Sequence, residues 1–426
     1  KWSGTMCLTE PQCGTDLGLL KTRAVPKGDG TYEITGQKIF ITSGDHDLTE
    51  NIIHLVLART TDAPKGTKGI SLFLVPKFEV SDDGVVGSRN GVSTNSIESK
   101  MGIKGSPTCV LNFENSKGIM IGPENKGLNS MFTMMNLERI VVGVQGLGIA
   151  ETAYQNSVAY SKERKQGKAN NSKNGETDLI IKHADIRRSL MNMKSIIEGQ
   201  RSFAFWLSQQ IDVSLSHDDK DVRNDASNMV ALLTPVIKSF FTDNGVEITN
   251  DAIQVFGGYG YTKDQGIEQL FRDNRITPIY EGTNSVQAID LVYRKISSEG
   301  IFENFIKSMD NEIKNYKNEK NLVSFLNIFE KYKEILISFT KWTREKINSN
   351  KDDASAACND YLKVLGYTAL AFAWIKTLKV SFEKQNTNKD FYEDKINTGK
   401  YYFETILPRA QSHYVIGTSG SHTTMN

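Results

Sequence analysis

The spacing of hydrophobic residues changes near residue 122. Before that point, short apolar runs such as 51–59, 69–75 and 109–113 are separated by clusters of Gly, Pro and Asp. Apolar runs of this length between turn residues are typical of strands joined by turns. Residues 1–124 are therefore predicted to form a small antiparallel β-barrel or β-sandwich domain.

Beyond residue 125, apolar residues recur every three or four positions, which is the spacing of helices that bury one face. This spacing covers 128–164, 180–216 and 222–256, and a fourth helix opens after Gly282. Four long helices with short connections predict an antiparallel four-helix bundle over 125–297.

Two polar segments interrupt or end the helical spacing. Residues 167–177 are rich in Gly, Asn and Lys and predict an exposed loop. Helical spacing resumes over 298–412, which predicts an additional C-terminal helical domain, and residues 413–426 form a polar tail. The predicted fold class is α+β.

Composition narrows the classes of function. The 426 residues carry a net charge of +1 with both signs interspersed, which gives no bulk reason to expect nucleic acid or an anionic membrane as partner. The apolar stretches are too short for the roughly 20 residues that a membrane span needs. The four cysteines show no C-x-x-C spacing, so we expect buried thiols, no metal site and a reducing, cytoplasmic compartment. The chain opens on Lys1-Trp2-Ser3-Gly4, which favours a fragment of a longer protein.

Four short motifs carry candidate chemistry. They are Leu8-Thr9-Glu10-Pro11-Gln12-Cys13-Gly14-Thr15-Asp16, Phe40-Ile41-Thr42-Ser43-Gly44, Gln254-Val255-Phe256-Gly257-Gly258-Tyr259-Gly260 and Ile279-Tyr280-Glu281-Gly282-Thr283-Asn284. In their types, order and spacing they resemble the flavin-site motifs of the acyl-CoA dehydrogenase family. The resemblance covers roughly residues 1–295 and implies that family's fold, its FAD cofactor and its acyl-CoA substrates.

The first two motifs lie where strands are predicted to end. The resemblance implies that Thr9, Thr42 and Ser43 hydrogen-bond the edge of the flavin ring and that the Phe40 ring lies against it. Many family members have Trp at the Phe40 position, and Phe keeps the stacking surface but loses an N–H. Taken one at a time, these residues fit ordinary turn chemistry equally well.

The third motif follows a helix, whereas a dinucleotide-binding fingerprint follows a strand and opens a helix. From the residues alone, its glycines predict a helix C-cap. The resemblance adds that Gln254, Gly257 and Gly258 approach the FAD of a neighbouring subunit. Arg164 resembles the family's arginine that meets the FAD pyrophosphate, although a lone arginine is more often a solvated charge.

The fourth motif places Glu281 in a loop just before a helix. A loop glutamate is normally only solvated, but Tyr-Glu-Gly-Thr is the family's catalytic-base motif. Asn284 and Gln287 have the spacing of helix-capping residues, which puts the positive end of a helix next to Thr283. The resemblance implies that Glu281 removes the α-proton of an acyl thioester while the β-hydrogen leaves as hydride to the flavin.

Other residues receive roles from the resemblance alone. Arg139 resembles an arginine close to the base, and Thr15 resembles a position that contacts CoA. The predicted catalytic residue is Glu281; the predicted cofactor-binding residues are Met6, Leu8, Thr9, Gly14, Thr15, Phe40, Thr42, Arg164, Gln254, Gly257, Gly258, Thr283 and Asn284; the predicted substrate-binding residues are Thr15, Arg139 and Gly282.

The region 99–109 and the extra helical domain are similar to the larger branch of the family, which includes 3-methylmercaptopropionyl-CoA dehydrogenase. That branch implies a homodimer, with an electron-transfer flavoprotein as acceptor. The family's N-terminal helical domain has no counterpart here. Three alternatives stay open: an acyl-CoA oxidase, a non-catalytic DNA-associated homologue and a flavin-free helical scaffold.

Overall fold

The computed structural model describes residues 2–170, 172 and 177–425, so the loop predicted over 167–177 lies partly outside the described residues. The chain forms two compact units, Lys1–Leu137 and Glu138–Asn426. The boundary between them falls within one long helix, Gly127–Glu163.

The first unit contains one main sheet and a small hairpin. In chain order its strands are β1 Ser3–Cys7, β2 Arg23–Pro26, β3 Thr31–Thr42, β4 Ile52–Thr60, β5 Ser71–Pro76, β6 Phe78–Val80, β7 Val86–Arg89, β8 Val92–Ile97 and β9 Thr108–Ile121.

The main sheet closes on itself. Strand β4 pairs with both β2 and β5, and the path β2–β3–β9–β5 completes the ring, which confirms the predicted barrel. The interior holds buried apolar residues that include Ile34, Val56, Phe73 and Phe113.

An antiparallel barrel or sandwich was predicted, and two pairings of the main sheet differ from this in being parallel. Strands β1 and β2 both run parallel to β4, while the other pairings of the main sheet are antiparallel. The reason is that side chains alternate with a period of two in either direction, so hydrophobic alternation does not report which way a neighbouring strand runs.

Helices make up most of the remaining chain. They are α1 Gly127–Glu163, α2 Ala184–Ser216, α3 Lys220–Phe256, α4 Gly258–Tyr261, α5 Ile267–Asn274, α6 Asn284–Asp290, α7 Ile301–Ile313, α8 Val323–Ser349, α9 Lys351–Lys384, α10 Lys389–Tyr401 and α11 Arg409–Gly417. The helices α1, α2 and α3 have 33 to 37 residues, as expected for a bundle.

The fourth predicted helix starts where expected but is short. Helix α6 has 7 residues and continues as a wider π-helical turn, Leu291–Lys295. The short helix α5 was not predicted. Segments of one or two turns contain too few apolar positions for their spacing to distinguish a helix from a loop.

The C-terminal helices share the apolar core of the second unit. Helix α9 packs against α2, α8 and α11 and buries Tyr361, Leu365 and Trp374. Past α11, the Ser421 hydroxyl and backbone N–H both donate to Asp353 Oδ1 at 2.8 Å. The end of the chain is therefore tied to the start of α9.

All four cysteines are buried and unpaired, as predicted. Across the described residues, no helix combines the length and the hydrophobicity that crossing a membrane requires.

Candidate active site

In the first unit, the first two motifs lie side by side. The Ile39 N–H donates to the Thr9 carbonyl at 2.9 Å, and Lys38 Nζ donates to the Leu8 carbonyl at 3.0 Å. The segment after β1 that carries Thr9 is thus held by β3, the strand that ends at Thr42.

A buried ion pair anchors this arrangement. Lys38 Nζ lies 2.9 Å from Glu10 Oε1, and both side chains are almost inaccessible to solvent. Burial alone would raise the pKa of Glu10, but the Lys38 ammonium and hydrogen bonds from Thr22 and Lys21 outweigh it and lower the pKa to about 2. Glu10 lies within the first motif, but neither Glu10 nor Lys38 was given a role in the site. The one signal in the sequence was that Lys38 occupies a position of strand β3 where the alternation predicts an inward-facing side chain.

Phe40 sits where β3 loses register with β9, between Lys38 and Ile41. Its φ is +60°, a conformation that is uncommon for a bulky side chain, and its ring is 59% exposed. Thr42 is also exposed at the end of β3, whereas the Ser43 N–H already donates to the Pro107 carbonyl at 2.8 Å. An exposed aromatic ring beside a strand-end hydroxyl fits a flat heterocycle such as flavin.

The remaining predicted residues of this unit differ in exposure. Gly14 and Thr15 are exposed, on the turn in which Glu10 and Cys13 exchange backbone hydrogen bonds. Met6 and Leu8 are partly buried and pack against an apolar cluster that includes Leu57, Leu72 and Met131.

In the second unit, the glycine motif ends α3. Gly257 has φ +60° and ψ −137°, which confirms the predicted cap at this position. A Cβ on Gly257 or Gly258 would meet no atom within 4 Å, whereas one on Gly260 would lie 2.4 Å from the Ile253 carbonyl oxygen. The first two glycines, with exposed Gln254, therefore present accessible backbone.

Arg164 lies beside this motif. Its guanidinium carbon is 5.7 Å from the centre of the Tyr259 ring, and both residues are exposed. The structure therefore brings together two segments that sequence reasoning assigned separately to FAD. A guanidinium next to exposed glycine backbone suits a diphosphate.

Glu281 and Gly282 form a left-handed turn, with φ of +56° and +84°. The Glu281 carbonyl accepts hydrogen bonds from Arg139 Nε at 3.3 Å and from Gln287 Nε2 at 3.1 Å. The side chain of the preceding residue, Tyr280, is also fixed, because its hydroxyl donates to Gln145 Oε1. Arg139 therefore lies next to the candidate base, as predicted.

The environment of the Glu281 carboxylate favours a stronger base. Burial raises its pKa, and the neighbouring Glu138 raises it further, while Arg139 and Lys238 oppose the rise. A raised pKa in a half-buried carboxylate is what proton abstraction near neutral pH requires.

The cap of α6 differs by one residue from the expectation. Thr283, rather than Asn284, is the N-cap, and its hydroxyl accepts from the Val286 N–H at 3.3 Å. The Asn284 side chain is instead hydrogen-bonded to Lys238 and Asp243 on α3. These two α3 residues were missed by sequence reasoning.

The fold matches known structures closely. An acyl-CoA dehydrogenase from Bacillus anthracis complexed with FAD superposes with a TM-score of 0.77 at 21% identity, covering 96% of this chain and 68% of that one. The fold of this chain is therefore the acyl-CoA dehydrogenase fold.

Three family models match consecutive segments. They are the acyl-CoA dehydrogenase middle domain at 5–116, the acyl-CoA dehydrogenase C-terminal domain at 125–296 and an acetyl-CoA dehydrogenase C-terminal-like domain at 305–426. A butyryl-CoA dehydrogenase of Syntrophomonas wolfei is 34% identical over 424 residues, which is 96% of this chain and 70% of that protein. The chain belongs to the acyl-CoA dehydrogenase family.

The 3-methylmercaptopropionyl-CoA dehydrogenase of Ruegeria pomeroyi is 45% identical over 300 residues. The match covers 70% of this chain and 51% of that protein, so the aligned part spans about half of the relative's length.

Proposed function

We propose that the whole protein is an FAD-dependent acyl-CoA dehydrogenase that converts an acyl-CoA thioester into a trans-2-enoyl-CoA. The observation that carries this proposal is Glu281, a half-buried carboxylate with a raised pKa in a left-handed turn. Arg139 and Gln287 hold its main chain, so the base has a defined position.

In this proposal the Glu281 carboxylate takes the α-proton, and the electron pair of the broken C–H bond becomes the new α,β double bond. FAD, when bound, accepts the β-hydrogen as a hydride, which balances the reaction. The Glu281 backbone N–H is proposed to donate to the thioester carbonyl, a type of contact worth about 3–4 kcal/mol to the transition state. Arg139 and Lys238 oppose the rise of the base's pKa and so favour its ionised form.

Two sets of residues would hold the cofactor. Phe40 and Thr42, both exposed, would contact the flavin ring. Arg164 and the open backbone at Gly257 and Gly258 would contact the diphosphate of an FAD bound mainly by a partner subunit.

The relatives support a proposal for the class of substrate. The 45% identity to a 3-methylmercaptopropionyl-CoA dehydrogenase supports a short acyl-CoA that can include a thioether. We further propose a cytoplasmic homodimer that passes electrons to an electron-transfer flavoprotein. Titrating a panel of acyl-CoAs, including methylthiopropionyl-CoA, against flavin bleaching tests the substrate, and sizing the intact protein tests the dimer.

The base is tested by Glu281→Gln in the full-length, FAD-loaded protein. The variant should keep bound flavin and thioester affinity but lose flavin bleaching when substrate is added. Glu404→Gln, at an exposed glutamate, is the matched control and should bleach like the parent. A Glu281→Gln protein that bleaches at the parent's rate would overturn the assignment.

The choice of electron acceptor separates a dehydrogenase from an oxidase. After substrate reduction, the flavin should be reoxidised rapidly by an electron-transfer flavoprotein and slowly by oxygen. Rapid reoxidation by oxygen would favour an acyl-CoA oxidase.

A further inference from the structure

Helix α3 carries a lysine whose ammonium is buried in the second unit. Lys238 is completely inaccessible to solvent, and its Nζ lies 2.9 Å from Asn284 Oδ1. Burial lowers its pKa to about 8, so it is mostly charged at neutral pH. Burying a cation costs free energy of desolvation unless neighbouring groups compensate for it, so the groups around Lys238 indicate its role.

Its partner is the first residue of the helix that follows the base. Asn284 Oδ1 accepts from Lys238, while Asn284 Nδ2 donates to Asp243 Oδ1 at 2.6 Å and to Thr242 Oγ1 at 3.0 Å. A cation can only face the oxygen of the amide and an anion can only face its nitrogen. The charges on α3 therefore permit one orientation of the Asn284 side chain and hold the start of α6 in one place.

The other end of the same loop is held by α1 and by α6 itself. Arg139 and Gln287 bind the Glu281 carbonyl, three residues before Asn284. Charged neighbours also shift the pKa of each ionisable group in this network. Glu138 and Lys238 affect Glu281, and Asp290 and Arg294 affect Arg139. Lys363 and Arg275 affect Asp243.

We propose that Lys238 is a positioning residue for the base: through Asn284 it holds the main chain that follows Glu281. The inference rests on the proposed role of Glu281. It goes beyond a stabilising core contact, because it predicts effects on the ionisation of the base and on the order of the loop.

The test compares three variants of the full-length, FAD-loaded enzyme. Lys238→Met removes the charge at similar length, and Lys238→Arg keeps it. Lys333→Met is the matched control, because Lys333 is also buried and is ion-paired to Asp310 on α7 and to Glu330 on its own helix, α8. Lys238→Gln takes the place of Lys238→Met if the latter does not fold.

Two measurements are made on each variant: the pH dependence of flavin reduction in a single turnover, and amide hydrogen exchange over residues 281–288 without substrate. In Lys238→Met the acid limb of the pH–rate profile should move to higher pH, so the rate at a fixed pH on that limb should fall. Exchange over 281–288 should become at least about tenfold faster. Lys238→Arg should restore most of the parent's pH dependence and most of its slow exchange. Lys333→Met should lower the stability of the fold without changing either measurement.

A Lys238→Met enzyme with the parent's acid limb and the parent's exchange over 281–288 would overturn the inference. So would equal changes in Lys333→Met, which would show a general loss of stability. If the parent itself does not reduce its flavin with any acyl-CoA, the proposed function fails. In that case, faster exchange in Lys238→Met alone would still support the positioning of the loop.

Discussion

Arg139 donates its Nε–H to the backbone carbonyl of Glu281, with 3.3 Å between the two atoms. The arginine is only 9% exposed and lies on α1, 142 residues earlier in the chain. Gln287 binds the same carbonyl from the opposite direction along the chain. The position of the base is therefore set through its main chain by two side chains from different helices.

Replacing this arginine should impair the proposed reaction in two ways. Arg139→Gln removes a charge-assisted hydrogen bond worth about 1.5–3 kcal/mol, so flavin reduction should slow by roughly 10- to 100-fold. Because Arg139 lowers the pKa of Glu281, its loss should also move the acid limb of the pH–rate profile of flavin reduction to higher pH. Single-turnover flavin bleaching from acid to neutral pH measures both. Arg139→Lys, which keeps the charge, should retain the limb, and an unchanged rate in Arg139→Gln would contradict the prediction.

Gly282 is needed for its conformation. At φ +84° an alanine is strained, and its Cβ would lie 2.7 Å from Gln287 Nε2. Gly282→Ala should cost about 1–3 kcal/mol of local strain and slow flavin reduction by displacing Gln287 from the Glu281 carbonyl. Gly148→Ala is the control: its Cβ would meet nothing within 4 Å on helix α1, so it should stabilise the fold by about 0.5–1 kcal/mol. Thermal unfolding and flavin bleaching are measured on both variants. Equal stability and equal bleaching rates in Gly282→Ala and Gly148→Ala would contradict the prediction.

The Glu10–Lys38 pair should be essential to the first unit. Lys38→Met leaves the Glu10 carboxylate buried without its cation, which should lower the free energy of unfolding by about 3–5 kcal/mol. The double variant Lys38→Met with Glu10→Gln should recover part of the loss, because no unpaired charge remains. Urea unfolding measures the three proteins. A double variant that is less stable than Lys38→Met would argue against this account.

His54 should make the first unit sensitive to acid. It is fully buried, and burial lowers its pKa from 6.5 to about 4, with Asp45 opposing the shift. Since the unfolded chain binds the proton more readily, the stability from His54 is complete above pH 6.5. It is lost as the pH falls towards about 4, up to about 3 kcal/mol. His54→Gln should flatten the free energy of unfolding between pH 6.5 and about 4. The prediction fails if parent and variant lose stability in parallel over that range.

Several parts of the site could be predicted from local sequence. The glycine cap at Gly257, the loop position of Glu281 and the exposed strand end at Thr42 each depend on a few neighbouring residues. The barrel and the long helices followed from hydrophobic spacing, because a period of two or of 3.6 reflects which side chains face the core.

Other parts could not be predicted in this way. Lys238 and Asp243 contact Asn284 across 46 and 41 residues, and Lys38 contacts Glu10 across 28. A lysine in an amphipathic helix or an alternating strand normally faces water, so its burial depends on partners that no local pattern reveals. The parallel directions of β1 and β2 relative to β4 could not be predicted either, because side chains alternate in the same way in parallel and antiparallel strands.

The sequence by itself determined the types of elements and the order of the domains, since these depend on short-range spacing, and its resemblance to a known family identified the candidate base. Only the tertiary structure decided which charges surround that base and which side chains hold its main chain. The physical reason is that a carboxylate's basicity depends on burial and on charges within a few ångströms, and distant segments of the chain supply both.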